Sequence, residues 1–226
     1  MNADPALLKG IEVVAFDFDG VIIEPNMKEN PFKILAREYP DSDRGLKEIF
    51  EKMSNLRFDN TDWVGELELA GVDTGDKELL CRISDHIFEV SKKSLKTYPQ
   101  VEAIIPDLSK RVRLAILSNN CRKTVYYCLP ELYRHFASIK TFEDVTRLKP
   151  DPEGLMAIAE ELRVSPEEVL LVGDSQDDVY CAARAGTKIA IATWSGNREY
   201  WQTHIGCCGM EIIFIFHPAL LLQIIR

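Results

Sequence analysis

Two carboxylates stand two residues apart in Asp17-Phe18-Asp19-Gly20, directly after an apolar run. A second acidic group, Asp174-Ser175-Gln176-Asp177-Asp178, follows another apolar run that ends at Gly173. Hard oxygen donors such as Asp17 and Asp174 suit Mg²⁺, which takes few protein ligands and keeps waters and substrate oxygens in its shell. Ser118-Asn119-Asn120 closes a further apolar run, and the Ser118 hydroxyl can donate to a phosphoryl oxygen. Lys149, in Arg147-Leu148-Lys149-Pro150-Asp151-Pro152, supplies a cation just ahead of a helical pattern. Taken singly, each piece has an ordinary reading: an Asp-Gly turn, a helix N-cap, a solvated lysine.

Their positions along the chain connect them. Five short apolar runs, Glu12 to Phe16, Arg113 to Leu117, Val169 to Val172, Lys188 to Ala192 and Ile212 to Phe216, are rich in β-branched residues. Runs of this kind suit strands buried on both faces of a parallel sheet. Helical patterns separate most of them: Leu155, Ile158, Ala159 and Leu162 share one face, and the Ala-rich stretch from Asp178 to Ala185 stops at Gly186. The alternation predicts an α/β fold, a doubly wound parallel sheet that delivers the acidic pairs and Ser118 to its carboxyl edge, where such sheets bind ligands. Residues 24–98 read differently, being charged and helical. Leu46, Ile49, Phe50 and Met53 share one face and Leu79, Ile83, Ile87 and Val90 another, with Pro25 and Pro99 at the two edges. The expectation is a core of residues 1–23 and 99–226 with a helical insert over 24–98.

A longer pattern joins the pieces. Phe16 to Val21, Leu117 to Asn119, Lys149-Pro150-Asp151-Pro152, Val164-Ser165-Pro166, Val172-Gly173-Asp174-Ser175 with Asp178, and Ala182-Ala183-Arg184-Ala185-Gly186 occur in that order. Together they resemble the haloacid dehalogenase superfamily, most closely its phosphoglycolate phosphatase-like branch. The resemblance implies a Rossmann-like catalytic core whose insert is a helical cap. It also implies a phosphoric monoester phosphatase that works through an aspartyl-phosphate. Asp17 would be nucleophile and metal ligand, and Asp19 general acid and base, with its backbone carbonyl on the metal. Ser118 and Asn119 would bind the phosphoryl group, Lys149 would neutralise charge beside Asp17, Asp174 would hold Mg²⁺, and Asp178 would support the metal site. An Asp two residues after the nucleophile argues against carbon-halogen cleavage. Gln100 and the basic link Lys110 to Arg113 stand where relatives commonly carry glycine, so the departures touch the hinge rather than the chemistry. A phosphomutase of the beta-phosphoglucomutase type uses the same motifs and stays open, as does a catalytically silent ligand-binding member.

Composition limits the partners. The 226 residues carry 27 Lys and Arg against 36 Asp and Glu, a formal charge of -9, so the electrostatic drive for nucleic-acid binding is missing. A small phosphorylated metabolite would need local compensation from a metal ion, a few cations or backbone N–H groups. The six cysteines show no C-x-x-C spacing, and the Met-Asn-Ala-Asp-Pro start lacks the features of a signal peptide. The stretch Ile212 to Ile225 is too interrupted and short to span a bilayer. A reduced, cytoplasmic protein without membrane or nucleic-acid partners is expected. Cys121 reads as a small buried thiol, the neighbours Cys207-Cys208 as a weak redox candidate, and Arg57, Lys77 and Arg82 as solvated charges of the insert.

Overall fold

The computed structural model describes residues 8–24, 29–55, 63–196, 199–201 and 209–225. Six strands form one parallel sheet: β1 (Val13–Phe16), β2 (Arg113–Leu117), β3 (Phe136–Lys140), β4 (Val169–Gly173), β5 (Lys188–Ala192) and β6 (Ile212–Ile215), in the order β3-β2-β1-β4-β5-β6. Every residue of β1 and β4 is buried. This follows from a sheet covered on both faces, where each strand must be apolar throughout rather than alternating.

The sheet separates two cores. On one face Val14, Phe16, Leu114, Ile116, Leu170 and Val172 pack against α5 (Pro99–Leu108) and Val125 of α6 (Arg122–Cys128). On the other, Val13, Ala15, Leu117, Val169, Leu171 and Ile189 meet α7 (Glu153–Leu162) and α8 (Gln176–Ala185). Gly186 closes α8 in the left-handed conformation, as the Ala-rich run ending there predicts.

β3 is not among the five runs legible in the sequence. It is an edge strand, Phe-Ala-Ser-Ile-Lys, with Ala137 exposed and the Ser138 hydroxyl donating to Glu161 at 2.7 Å. An edge needs no continuous apolar run.

Residues 31–91 hold α1 (Pro31–Glu38), α2 (Arg44–Ser54), α3 (Trp63–Leu69) and α4 (Lys77–Ser91). Their third core joins Phe32, Leu35, Leu46, Phe50, Met53, Leu67, Leu80 and Ile83 to Cys121 and Phe142 of the sheet-bearing part. The apolar face of α2 is the expected one. That of α4 is turned: Leu80, Ile83, Ser84, Phe88 and Ser91 are buried, while Leu79, Ile87 and Val90 are only partly so. Two serines lie on this buried face, which a hydrophobicity pattern does not register. The chain leaves the sheet and returns side by side. Glu24 N donates to Lys96 O at 2.7 Å, Tyr98 N to Ile22 O at 2.9 Å, and Ile23 bridges Thr97. Among the described residues no helix is long and apolar enough to cross a membrane.

Candidate active site

Because β2, β1 and β4 are parallel neighbours, the residues following each emerge at one edge. Asp17, Ser118 and Asp174 are those residues, and all three are buried. Lys149 arrives from the connection between β3 and α7 and is itself buried. Its Nζ lies 2.6 Å from Asp17 Oδ1 and 2.7 Å from Asp178 Oδ1.

Asp178 explains why its turn is built as it is. Ser175 is the N-cap of α8 and Asp178 its third residue, so the two side chains satisfy each other's backbone N–H in a capping box. Asp178 Oδ2 accepts from Asp174 N (3.1 Å), Ser175 N (3.0 Å) and the Ser175 hydroxyl (2.7 Å), leaving Oδ1 for Lys149. The close approach depends on Gly173, where an added Cβ would lie 2.4 Å from Asp178 Cβ. Asp178 therefore fixes the lysine and the backbone that carries Asp174.

Asp174 packs against the Asp17–Gly20 turn from the opposite side. Gly20 has φ +74°, and a Cβ there would fall 2.1 Å from Asp174 Oδ2. Trp201, almost wholly buried, donates from Nε1 to Asp174 O at 3.2 Å. Gly20→Ala combines a left-handed non-glycine, costing about 1–2 kcal/mol, with a collision against Asp174. The expected outcome is a melting temperature lower by about 2–8 °C and weaker divalent-cation binding, checked by thermal unfolding with and without Mg²⁺.

The site is electrostatically overloaded with acid. Burial, then the charge of Asp178, pushes the Asp17 carboxyl up to about 8 despite the adjacent Lys149. Burial and then Asp17 and Asp178 hold Asp174 well above the carboxylate range. For Asp178 burial acts upward as well, but the charge and hydrogen bond of Lys149 and the donors of Ser175 outweigh it, and the net shift is downward. Lys149 is raised, since Asp17 and Asp178 overcome its own burial. Oxygens of Asp17, Asp174 and Asp178 lie within 4.8 Å of one another. This all-oxygen, buried, acid-rich set fits a hard divalent cation. With both Asp178 oxygens engaged, Asp17 and Asp174 are the better placed to ligate.

The loop after β2 does more than its sequence indicates. The Ser118 hydroxyl accepts from Asn120 N at 2.9 Å. Asn119 is spent on the lysine loop, its Nδ2 donating to Lys149 O (3.1 Å) and its Oδ1 accepting from Lys149 N (3.0 Å). Asn120, singled out by no sequence argument, donates from Nδ2 to both Asp19 oxygens at 3.1 Å, while its Oδ1 accepts from Cys121 N at 2.8 Å. The only signal for it was its place in the polar triplet, since its partner lies 101 residues away. Cys121 is buried and caps α6. Lys77 reaches from the helical segment to the sheet-bearing part, donating to Phe142 O at 3.0 Å, and Arg82 pairs with Asp43 within the helical segment at 2.6 Å. Arg57 and Cys207-Cys208 lie outside the described residues.

A parallel α/β sheet that gathers buried carboxylates and a buried lysine at its carboxyl edge is the frame of an α/β enzyme. The chain belongs to the haloacid dehalogenase-like hydrolase family, whose model matches residues 14–192. It is thus a hydrolase with that family's fold. It is similar to the pyrophosphatase PpaX of Oceanobacillus iheyensis, with 26% identity over 189 residues covering 82% of this chain and 85% of that protein. Among solved structures, a candidate phosphoglycolate phosphatase from Lactobacillus plantarum matches 95% of this chain and 99% of its own at a TM-score of 0.70 and 18% identity. A candidate beta-phosphoglucomutase from Thermotoga maritima matches 94% and 98% at 0.61 and 22%. At these identities the structures show the fold alone.

Proposed function

We propose that the protein is an Mg²⁺-dependent phosphatase that hydrolyses a small phosphorylated metabolite through an aspartyl-phosphate on Asp17. The observation that carries this reading is the buried Asp17–Lys149–Asp178 array at 2.6 and 2.7 Å, with Asp174 beside it. A carboxylate so placed is held in one position, and the ammonium beside it neutralises charge that builds on the transferring phosphoryl oxygens.

Asp17, Asp174 and the Asp19 carbonyl would hold Mg²⁺, which when bound offsets the crowded negative charge and polarises the phosphoryl group. Asp17 Oδ attacks phosphorus as the bond to the leaving oxygen breaks, and Asp19 gives that oxygen a proton. Asp19 then takes a proton from water, which attacks phosphorus and frees phosphate and Asp17. Asn120 orients Asp19 for both transfers. Ser118 N–H is engaged by Lys140 O, so its hydroxyl is the group offered to the phosphoryl oxygens. The helical segment over 24–98 acts as the cap that covers the site, and 1–23 with 99–226 as the catalytic core. Free cysteines at 81, 121, 128 and 181 are in keeping with the reducing cytoplasm. Pyrophosphate and phosphoglycolate come into question through the relatives' names.

The test is phosphate release from a panel of phosphorylated compounds with Mg²⁺ present. Release in step with substrate loss supports hydrolysis; conversion to an isomer without free phosphate would make the enzyme a mutase. Activity should vanish in excess chelator. Mg²⁺ at about 100 times its Kd should also stabilise the fold by about 2.7 kcal/mol, raising the melting temperature by about 5–10 °C. Asp174→Asn should abolish that rise, whereas an equal rise in the variant would move the metal elsewhere.

A further inference from the structure

Asn120 holds Asp19, and Asn120 is itself held between two residues that pack with the helical segment. On one side Cys121 N donates to Asn120 Oδ1 at 2.8 Å, and on the other Phe142 N donates to Asn120 O at 3.3 Å. Cys121 and Phe142 are both buried, and both belong to the third core, with Phe50, Leu67, Leu80 and Ile83, rather than to the cores on the two faces of the sheet. The amide beside Asp19 is therefore anchored to the sheet through its place after β2 and to the helices through these two contacts.

A polar contact ties the helices to that anchor. Lys77, the first residue of α4, lies three positions before the buried Leu80 and so on the same face. Its Nζ donates to Phe142 O at 3.0 Å and stands 5.8 Å from the Phe142 ring centroid. A hydrogen bond from an ammonium is stronger than one from a neutral donor. The Phe142 residue thus has its carbonyl held by Lys77 and its N–H turned to Asn120. A further contact of α4 with the sheet-bearing part, Asp85 to Lys123 Nζ at 2.7 Å, joins two exposed side chains and takes no part in the Phe142–Asn120 contact.

Resting on the phosphatase reading above, we infer that Lys77 is a positioning residue for the proton donor: by fixing Phe142 it sets the Asn120 amide, and through that amide the carboxyl of Asp19. As the bond from Asp17 to phosphorus forms and the bond to the leaving oxygen breaks, the proton passes from Asp19 to that oxygen. A misaimed Asp19 slows this transfer for an alkyl phosphate, whose leaving oxygen needs the proton, and spares an aryl ester whose phenolate is stable without one. Asn120 N also donates to the Ser118 hydroxyl at 2.9 Å, a contact that bears on every ester alike, so the ratio between two esters isolates Asp19.

The test compares the wild type with Lys77→Met, which keeps the apolar stem, Lys77→Arg, which keeps a cationic donor, and Asp85→Ala, which cuts only the other contact. One measurement needs no substrate. Amide hydrogen exchange at Phe142, read by NMR, should be at least about fivefold faster in Lys77→Met, as for the loss of one hydrogen bond, slower again in Lys77→Arg and unchanged in Asp85→Ala. The other is single-turnover cleavage of p-nitrophenyl phosphate and of the fastest alkyl phosphate of the panel above, phosphoglycolate among them. Lys77→Met should lower the alkyl-to-aryl rate ratio by about tenfold, Lys77→Arg should restore most of it, and Asp85→Ala should leave it unchanged. Unchanged exchange at Phe142 in Lys77→Met, an equal effect of Asp85→Ala, or a fall by the same factor for both esters would overturn the inference while leaving the phosphatase reading intact. A wild type that releases phosphate from no ester, the aryl one included, would overturn both.

Discussion

Asp17→Asn is expected to abolish turnover, by on the order of 10⁴-fold or more, without lowering the melting temperature of the metal-free protein. The two halves of this result have one cause. Asp17 is a buried carboxylate whose proton affinity is raised by burial and by Asp178, so its charge is costly to hold in the fold. An amide of the same shape can still accept from Phe18 N, which lies 2.7 Å from Asp17 Oδ1, and from Lys149. It removes like-charge repulsion and, on the proposed mechanism, removes the nucleophile. The measurement is single-turnover phosphate release beside thermal unfolding in chelator. Substantial residual activity in contaminant-free protein would move the nucleophile elsewhere.

Lys149→Met should fail in the opposite way, losing both rate and stability. Removing one member of a buried ion pair costs about 3–5 kcal/mol, because the partner is left as an uncompensated buried charge, and here two partners are left. For a chain of this size that corresponds to a melting temperature lower by about 6–20 °C. Without the ammonium both Asp17 and Asp178 shift upward, and charge on the transferring phosphoryl oxygens goes unneutralised, so turnover should fall by on the order of 10²-fold or more. Binding of inorganic phosphate or a metal fluoride should weaken alongside. A variant with wild-type melting temperature and kinetics would mean that Lys149 behaves as solvated surface, which its burial contradicts.

The parts of this site that were legible in the sequence are those with a local signature. Asp17 and Asp174 follow runs whose burial on both faces forces continuous apolar composition, so the strand ends could be located to within a residue or so. The Ala-rich stretch read from Asp178 to Ala185 is α8, which starts two residues earlier, at Gln176, behind a Ser175–Asp178 capping box. What stayed hidden is tertiary. The Asn120–Asp19 contact spans 101 residues, and the double contact of Asn119 with the Lys149 backbone spans 30, so neither leaves a periodic trace. β3 was missed for a related reason. Its Ser138 is buried but satisfied by Glu161 on a neighbouring helix, and a strand interior paired that way reads as a polar loop. The buried face of α4 includes Ser84 and Ser91 beside Leu80, Ile83 and Phe88, a mixed face that a hydrophobicity pattern does not pick out.

The paired crossings between the helical segment and the sheet have a mechanical consequence. Tyr98 N is bonded to Ile22 O, and Glu24 N to Lys96 O; Ile22 and Ile23 both donate to Phe18 O, and Gly20 N donates to Ile23 O. The same few residues thus serve as strap and as the turn that carries Asp19. If the helices swung about this strap, the turn would be pulled with them and Asp19 would move relative to the Asn120 amide. On the proposed mechanism, opening the cleft would then also take the acid out of position, and an acyl phosphate on Asp17 would be guarded against untimely loss without any separate latch.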